Sequence, residues 1–274
     1  MNPGTVDVVA LRADAEEAAR RAAAVLRDRF AGPRTVAYKG GIDLVTDADQ
    51  ASEQAILAFL REKHPDHGVL AEESGAGGGG AAFRWIVDPL DGTTNYAHRV
   101  PHFCVSVAVE GPGGLLAGAI ADPLRGELFS AGAGLGAHLD GVPLEVTALD
   151  RLDRALLCTG FPYDVRERPE VPLGMFSRFV QKAQGIRRMG AAALDLAWVA
   201  AGRYDGFFEF GLKPWDVAAG ALLVREAGGV ACGIRGEPLQ LDAGHILACG
   251  KGLEGLLRAE STRFLDAAGW QPRR

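Results

Sequence analysis

Helical and strand patterns alternate along most of this chain, and the alternation restricts it to folds that mix both kinds of element. Apolar residues recur at helical spacing over residues 7–30 and 48–63, which predicts two amphipathic helices. Short apolar runs separated by turn residues fill residues 103–130 and predict antiparallel strands. From Leu156 onwards, strand and helix patterns alternate, as is typical of an α/β arrangement.

The pattern changes near Asp150, and this change predicts two lobes. Residues 1–150 are predicted to form an N-terminal α+β lobe, and residues 151–274 a C-terminal α/β lobe. A chain of 274 residues has the length of one or two domains. We expect the two lobes to form one compact unit.

The charge balance argues against a nucleic-acid partner. The chain has 29 Lys and Arg against 35 Asp and Glu, a formal net charge of −6. It therefore lacks the positive charge that drives counterion release from nucleic acid. The basic pairs Arg187-Arg188 and Arg273-Arg274 are interpreted as a solvated strand edge and a tail.

The sequence shows no sign of export or of membrane insertion. No apolar run reaches the length of about 20 residues that spans a bilayer, and Met1–Ala10 has no basic region followed by an apolar one. Cys104, Cys158, Cys232 and Cys249 are scattered singly, so each is predicted to be a small buried hydrophobe. We expect a cytoplasmic protein without a membrane partner.

Acidic residues cluster at the ends of two predicted strands. Glu72 and Glu73 follow the strand at residues 68–71, and Asp88 ends the next strand, so neighbouring strands could direct these carboxylates at one point. Asp91 comes three residues later. Carboxylate oxygens are the ligands that Mg²⁺ prefers. The cluster therefore predicts a Mg²⁺ site.

Each of these acids taken alone has a simpler interpretation. The two glutamates could be solvated charges at a strand end, Asp88 a turn residue, and Asp91 the first half of an Asp-Gly turn. Together they outnumber what two turns require, which favours a shared cation site. His98 and His102 lie nearby but not at metal-ligand spacing, and we interpret them as loop or core residues.

Two glycine-containing segments differ in their suitability for phosphate. The segment Gly92-Thr93-Thr94-Asn95 has the composition of a helix start, whose free N–H groups suit an anion. The segment Gly75–Gly80 lacks the Lys-Ser/Thr ending of a nucleotide-binding loop, and we predict a flexible linker there. The chain also has no Cys-x5-Arg phosphatase loop, which favours direct attack by water over a covalent intermediate.

Two segments resemble the signatures of the inositol monophosphatase family. Asp88-Pro-Leu-Asp-Gly-Thr-Thr-Asn95 resembles the first signature, and Trp215-Asp216-Val-Ala-Ala-Gly220 with Glu226-Ala-Gly-Gly229 resembles the second. The resemblance covers nearly the whole chain, including residues 39–49, 72–74, 156–162 and 190–209.

The resemblance implies a fold and an activity. The fold is α/β of the α+β type, a layered αβαβα sandwich that usually assembles as a homodimer. The activity is Mg²⁺-dependent hydrolysis of a small phosphorylated metabolite, commonly inhibited by Li⁺, with two or three ions per site. Inositol monophosphate is the favoured substrate, but histidinol phosphate, fructose 1,6-bisphosphate, nucleotide 3′-phosphates and NADP remain alternatives. A non-catalytic dimeric partner protein is an alternative of another class.

The resemblance also implies roles for individual residues, most of them in the N-terminal lobe. The implied metal ligands are Glu72, Asp88, the Leu90 carbonyl, Asp91 and Asp216. The implied residues for water activation are Asp49 and Thr93. The implied phosphate and alcohol contacts are Gly92, Thr93, Gly190, Ala191, Ala192 and Glu209. Independently of the resemblance, the glycines of Lys39-Gly40-Gly41 predict a mobile loop that closes over the site, in which Lys39 attracts anions.

Two of these acids have structural alternatives, and two positions depart from the family pattern. Asp216 follows Pro214 and could interact with a helix dipole, while Glu209 could be a solvated strand-end charge. Ala191 stands where many relatives have Ser or Thr, and Lys213 with Pro214 precedes Trp215 where animal enzymes have other residues. The departures leave the choice of substrate open.

Overall fold

The computed structural model describes residues 6–32, 36–38 and 44–271, which form five alternating layers of helix and sheet. Helices α1 and α2 cover the outer face of an eight-stranded sheet. Helices α5 and α6 lie between this sheet and a five-stranded sheet, and α4 and α7 cover the outer face of the latter. The predicted αβαβα sandwich is confirmed.

The described ranges contain these helices: α1 (Val8–Phe30), α2 (Asp47–Lys63), α3 (Thr93–Ala97), α4 (Glu170–Val180), α5 (Ala192–Ala200), α6 (Pro214–Glu226) and α7 (Lys251–Ala267), with a 3₁₀ turn at Leu152–Arg154. The strands are β1 (Val36–Tyr38), β2 (Leu44–Thr46), β3 (Gly68–Ala71), β4 (Gly75–Gly77), β5 (Arg84–Asp91), β6 (Cys104–Gly111), β7 (Gly114–Asp122), β8 (Glu127–Gly132), β9 (Gly136–Leu139), β10 (Val142–Pro143), β11 (Leu156–Thr159), β12 (Gly185–Arg187), β13 (Gly206–Phe210), β14 (Val230–Cys232) and β15 (His245–Cys249).

The large sheet has the order β10-β9-β8-β7-β6-β5-β3-β4, and the small sheet β12-β11-β13-β15-β14. Strands β1 and β2 form a separate antiparallel pair. In the large sheet β3 runs parallel to β5, whereas the other pairs are antiparallel. The large sheet ends before residue 150 and the small sheet begins after it, but α6 contacts both sheets. The lobe boundary therefore stays a prediction.

Local sequence signals explain most elements and miss a few. The hairpin predicted at Asp140-Gly141 is present, with positive φ at both residues. Helix α4 was not expected, because Pro172 and Gly174 interrupt its pattern. The predicted linker at Gly75–Gly80 is wrong in part, since its first three residues pair with β3. None of the helices in the described ranges has both the length and the apolar character that crossing a bilayer requires.

The four cysteines are reduced and buried, as expected for small core residues. The largest apolar cluster lies between the two sheets and is formed mainly by α5, α6 and the facing strands. Helix α5 is buried along nearly its whole length. The middle layer is thus the part of the core that both sheets share.

Gly220 permits the close contact between α5 and α6. A β-carbon at Gly220 would lie 2.5 Å from Cβ of Leu196, which is too short for any real contact. We expect Gly220→Ala to lower the free energy of unfolding by about 1–3 kcal/mol, the usual range for overpacking. Gly255→Ala on α7 is the matched control, because no atom lies within 4 Å of its added β-carbon.

For Gly255→Ala we expect stabilisation by about 0.5–1 kcal/mol from the intrinsic helix preference. Urea unfolding followed by tryptophan fluorescence measures both variants. Equal effects of the two substitutions would contradict the packing argument.

Candidate functional site

Two neighbouring parallel strands bring Glu72 and Asp88 side by side. Ala71 in β3 is aligned with Val87 in β5, and the Glu72 N–H donates to the Val87 carbonyl at 3.2 Å. Asp88 is the next residue of β5 and is buried. The strand-end arrangement expected from the sequence is therefore present.

A break in the β5–β6 ladder shapes the segment that follows Asp88. The register shifts between Asp88 and Asp91, so the two intervening residues have no aligned partners in β6. Ser52 in α2 holds this bulge by donating to the Pro89 carbonyl at 2.6 Å, and the Leu90 N–H donates to Asp88 Oδ1 at 3.0 Å. The bulge is thus fixed from two sides.

Four acids, Glu72, Asp88, Asp91 and Asp216, influence one another through their charges. Burial, followed by the charges of Glu72, Asp91 and Asp216, raises the pKa of Asp88 well above its ordinary value. Burial, followed by the charge of Asp91, also raises the pKa of Asp216, and Glu72 adds to the effect. Asp216 is partly exposed, and the charges of its neighbours contribute to its raised pKa beside burial.

Asp91 connects the first signature segment to α5. Its Oδ2 accepts from the Ala193 N–H at 2.7 Å and from Cys104 Sγ at 3.7 Å. Burial raises the pKa of Asp91 to about 6 in spite of the Ala193 bond, which lowers it. The Asp91 carboxylate is thus held by a backbone N–H of α5, the helix that lies between the two sheets.

Asp49 and Thr93 touch, although they are far apart in the sequence. Asp49 closes a capping box at the start of α2, in which its Oδ2 accepts from the backbone N–H and the hydroxyl of Thr46 at 2.8 and 2.6 Å. The Thr93 hydroxyl lies 3.1 Å from Asp49 Oδ1 and 3.0 Å from the Leu90 carbonyl oxygen. It has one proton for these two acceptors. Burial raises the pKa of Asp49.

The glycines Gly92 and Gly190 lie against each other. Gly92 precedes α3 with φ 93°, and a β-carbon on it would lie 3.2 Å from the Gly190 carbonyl oxygen. Gly190 also has positive φ, at 87°. Asn95, which the sequence analysis did not single out, donates to the carbonyls of Met189 and His102 at 2.8 and 2.7 Å. Its place in the first signature was the available signal.

The remaining predicted contacts line the same region from α5 and β13. Ala191 precedes α5 and Ala192 opens it, and both are buried. Glu209 lies in β13 with 9% of its surface exposed. Burial, followed by the charges of Asp195 and Asp216, raises the pKa of Glu209 well above its ordinary value. Glu209 is therefore a buried acid and not the solvated strand-end charge of the simpler interpretation.

The predicted loop residues Lys39, Gly40 and Gly41 lie outside the described residues, so the mobility of this loop stays a prediction.

His102 is a core residue, which agrees with its interpretation as a loop or core histidine. The sequence analysis missed its partner Asp195, whose Oδ1 lies 3.3 Å from His102 Nε2. A single acid within the otherwise apolar helix α5 was the available signal.

The chemistry of this donor set fits a hard divalent cation. Its candidate donors are carboxylate oxygens and one carbonyl, the types that Mg²⁺ prefers. In the described part of the chain, no three His, Cys, Asp or Glu side chains converge closely enough to form a ready metal site. A cation bound by these acids would offset the repulsion that contributes to the raised pKa of Asp88.

The chain is similar to known proteins along most of its length. Residues 7–265 match the model of the inositol monophosphatase family. The chain is 49% identical to Nus factor SuhB of Pseudomonas aeruginosa over 219 residues, which are 78% of this chain and 81% of that protein.

Solved structures agree with the match. The structure of inositol monophosphatase from Anabaena (Nostoc) is 40% identical with a TM-score of 0.87, over 97% of this chain and 100% of that one. The extragenic suppressor protein suhB from Bartonella henselae is 38% identical with a TM-score of 0.88, over 93% of this chain and 99% of that one.

The buried acids generate a prediction about pH and stability without metal. The folded protein keeps a proton on Asp91 up to about pH 6, whereas the unfolded chain releases it near pH 4, so this group destabilises the fold as pH rises through that window. In EDTA, Asp91→Asn should gain stability relative to the native protein between pH 4 and 7, by about 3 kcal/mol at most. Urea unfolding at several pH values measures the difference. A pH-independent difference would contradict the prediction.

Proposed function

This chain belongs to the inositol monophosphatase family, and from that premise we propose that it hydrolyses small phosphate monoesters with Mg²⁺, with inositol monophosphate as the favoured substrate. The observation that carries the proposal is the position of Glu72 and Asp88 at the adjacent ends of two paired parallel strands, with Asp91 after the bulge that follows. The charges of Glu72, Asp91 and Asp216 contribute to the raised pKa of Asp88. Buried acids that raise one another's pKa are costly to keep unless a cation or a reaction requires them.

Members of the family generally use Mg²⁺, and bound Mg²⁺ acts as a Lewis acid and lowers the pKa of a bound water. In our proposal Glu72, Asp88 and the Leu90 carbonyl hold one ion, and Asp88, Asp91 and Asp216 hold another. With the single Thr93 proton donated to Asp49, the Leu90 carbonyl oxygen keeps its lone pairs for the ion. The number of ions, two or three, is part of the proposal.

Asp49 and Thr93 orient the attacking water in this proposal. In this proposal the Thr93 hydroxyl donates to Asp49 Oδ1, so its own oxygen is left to accept a hydrogen bond from water. Asp49 cannot turn away, because Thr46 holds its other oxygen through two hydrogen bonds. The pair therefore supplies an acceptor of fixed direction.

Backbone groups of Gly92 and Thr93 contact the phosphate, and Gly190, Ala191, Ala192 and Glu209 contact the alcohol. The close approach of Gly92 to Gly190 brings these two parts of the site together.

Histidinol phosphate, fructose 1,6-bisphosphate, nucleotide 3′-phosphates and NADP remain alternative substrates. A phosphate-release screen over these compounds with Mg²⁺ tests the proposal, and inactivity on all of them would contradict it. The homodimer, the cytoplasmic location and the Li⁺ sensitivity remain predictions.

Asp91→Asn and Asp216→Asn should each lower phosphate release at least about a hundredfold at saturating Mg²⁺, because losing a charged metal ligand removes several kcal/mol of transition-state stabilisation. Asp266→Asn is the matched control, since among the described residues the side chain of this exposed acid in α7 pairs with Arg235 alone. Circular dichroism verifies folding. Near-native turnover of either site variant would show that the metal assignment is wrong.

A second candidate function follows from the relative named Nus factor SuhB, a name that points to transcription. We propose that this chain shares that role through binding another protein, independently of hydrolysis. In Pseudomonas aeruginosa lacking its own SuhB, this chain and its Asp91→Asn variant should then restore growth equally. Failure of both would contradict a shared role, and failure of the variant alone would show that the role requires the acid site.

A further inference from the structure

His102 and Asp195 form a buried polar contact between two segments that carry the candidate site. Only 2% of His102 and 1% of Asp195 is exposed, and Asp195 Oδ1 lies 3.3 Å from His102 Nε2. Within the described ranges neither imidazole nitrogen has another hydrogen-bond partner. The Trp198 ring packs edge-to-face on the imidazole, with 5.3 Å between the ring centroids. Because Asp195 and Trp198 are three residues apart in α5, the imidazole lies along one face of this helix.

This contact is polar in an apolar part of the core. The other residues of α5 are apolar, and most of them belong to the cluster between the two sheets. Burying a polar or charged group costs free energy unless a partner compensates for it. A buried ion pair often stabilises a fold less than an apolar pair of similar volume. Stability alone therefore does not account for the pair, whereas a polar contact can select one arrangement of the two segments.

The segment before β6 places His102 next to the first signature. Cys104, the first residue of β6, is aligned with Asp91, and its Sγ lies 3.7 Å from Asp91 Oδ2. His102 precedes Cys104 by two residues. Its carbonyl oxygen would lie 3.1 Å from a β-carbon on Gly92, the residue that follows Asp91. His102 therefore emerges from the strand end that also holds Asp91.

Two hydrogen bonds connect the start of α5 to the same strand end. The Ala193 N–H donates to Asp91 Oδ2 at 2.7 Å. Asn95 Nδ2 donates to the His102 carbonyl at 2.7 Å and to a carbonyl of the segment before α5 at 2.8 Å. Asp195 follows Ala193 by two residues. Its contact with His102 thus acts on the helical turn that holds the Asp91 carboxylate.

The Ala193 N–H depends on Asp91 for its hydrogen bond. Ala193 is the second residue of α5, and the first four N–H groups of a helix have no acceptor within the helix. Hydrogen bonds weaken as the donor and acceptor move apart or lose alignment. A shift of the first turn of α5 would therefore weaken the bond to Asp91 while leaving the bonds in the interior of the helix intact.

We propose that His102 and Asp195 are positioning residues, whose contact fixes the first turn of α5 against the end of β6. Through the Ala193 N–H, this turn holds the Asp91 carboxylate in the direction that a divalent cation requires. Neither side chain of the pair contacts the cation or the substrate. The part of the inference that concerns the cation rests on the proposed Mg²⁺ site, whereas the part that concerns the Ala193 N–H does not.

The test removes the contact with Asp195→Leu, a change of similar size, and uses Asp195→Asn as the conservative variant because its amide keeps an acceptor for His102. Asp14→Leu is the matched control. Asp14 also contacts a histidine, since its Oδ2 lies 2.9 Å from His64 Nε2. His64 follows the last residue of α2, at the opposite end of this helix from Asp49.

Hydrogen exchange of the Ala193 amide, measured by NMR in EDTA, reports the first turn directly. The ratio of its exchange rate to that of Val199, in the interior of α5, should rise about tenfold or more in Asp195→Leu. Asp195→Asn should raise this ratio less, and Asp14→Leu should leave it unchanged. Using the ratio separates a shift of the first turn from a general loss of stability, which would accelerate both amides.

Binding of Mg²⁺ supplies a second measurement that needs no substrate. In isothermal titration calorimetry, Asp195→Leu should weaken Mg²⁺ binding about tenfold, the lower end of the range for residues that support a metal ligand. Asp14→Leu should bind Mg²⁺ like the native protein. The double variant His102→Leu/Asp195→Leu replaces the polar pair by an apolar one. It should regain thermal stability, but neither the native exchange ratio nor the native affinity for Mg²⁺.

Several outcomes would overturn the proposal. One is an unchanged exchange ratio in Asp195→Leu, and another is an equal change in Asp14→Leu. A double variant with the native exchange ratio and the native Mg²⁺ affinity would show that apolar packing positions α5 equally well, which would also overturn it. If Asp195→Leu does not fold, the double variant and Asp195→Asn carry the comparison with the native protein.

Failure of the proposed phosphatase function would look different. The native protein would then release phosphate from none of the substrates, whereas the exchange ratio, which is measured without metal or substrate, would still differ between the native protein and Asp195→Leu. A native protein that hydrolyses phosphate monoesters but shows no difference in the exchange ratio would refute the positioning role alone.

Discussion

The parallel pairing of β3 with β5 is the interaction on which the candidate site depends. In a parallel pair the carboxyl ends of both strands meet at one edge, so Glu72 and Asp88 emerge side by side. The bulge after Asp88 then turns the chain so that Asp91 can reach α5. An antiparallel pairing of these strands would separate the acids by the length of a strand and leave no shared site.

Backbone N–H groups offset part of the charge that this arrangement concentrates. Asp88 accepts from Leu90, Asp91 from Ala193 and Asp216 from Lys213, at 3.0, 2.7 and 2.6 Å. Two of these donors lie at the starts of α5 and α6, where backbone N–H groups lack helical partners. The same two helices form the layer between the sheets. The packing that fixes these helices in the core therefore also positions the N–H groups that stabilise the acids.

Local patterns predicted the fold class well because each depends on a few neighbouring residues. The helical spacing before Phe30 and before Lys63 corresponds to α1 and α2, and the Asp-Gly pair corresponds to the hairpin of β9 and β10. Helix α4 was not predicted, because its internal proline and glycine disfavour a helix while its other residues permit one. The layer order came from the family resemblance, since periodicity does not specify which sheet face a helix covers.

The sequence by itself determined the chemistry that this chain can offer: acids at strand ends, a helix start suited to phosphate, and two signatures. Only the tertiary structure decided which of these groups meet. Thr93 contacts Asp49 across 44 positions and Asp91 contacts Ala193 across 102. Arg188, which the sequence assigned to a solvated edge, lies over Gly190. Such contacts depend on the packing of whole layers, because hydrogen bonds and charges act through distance in space and not along the chain.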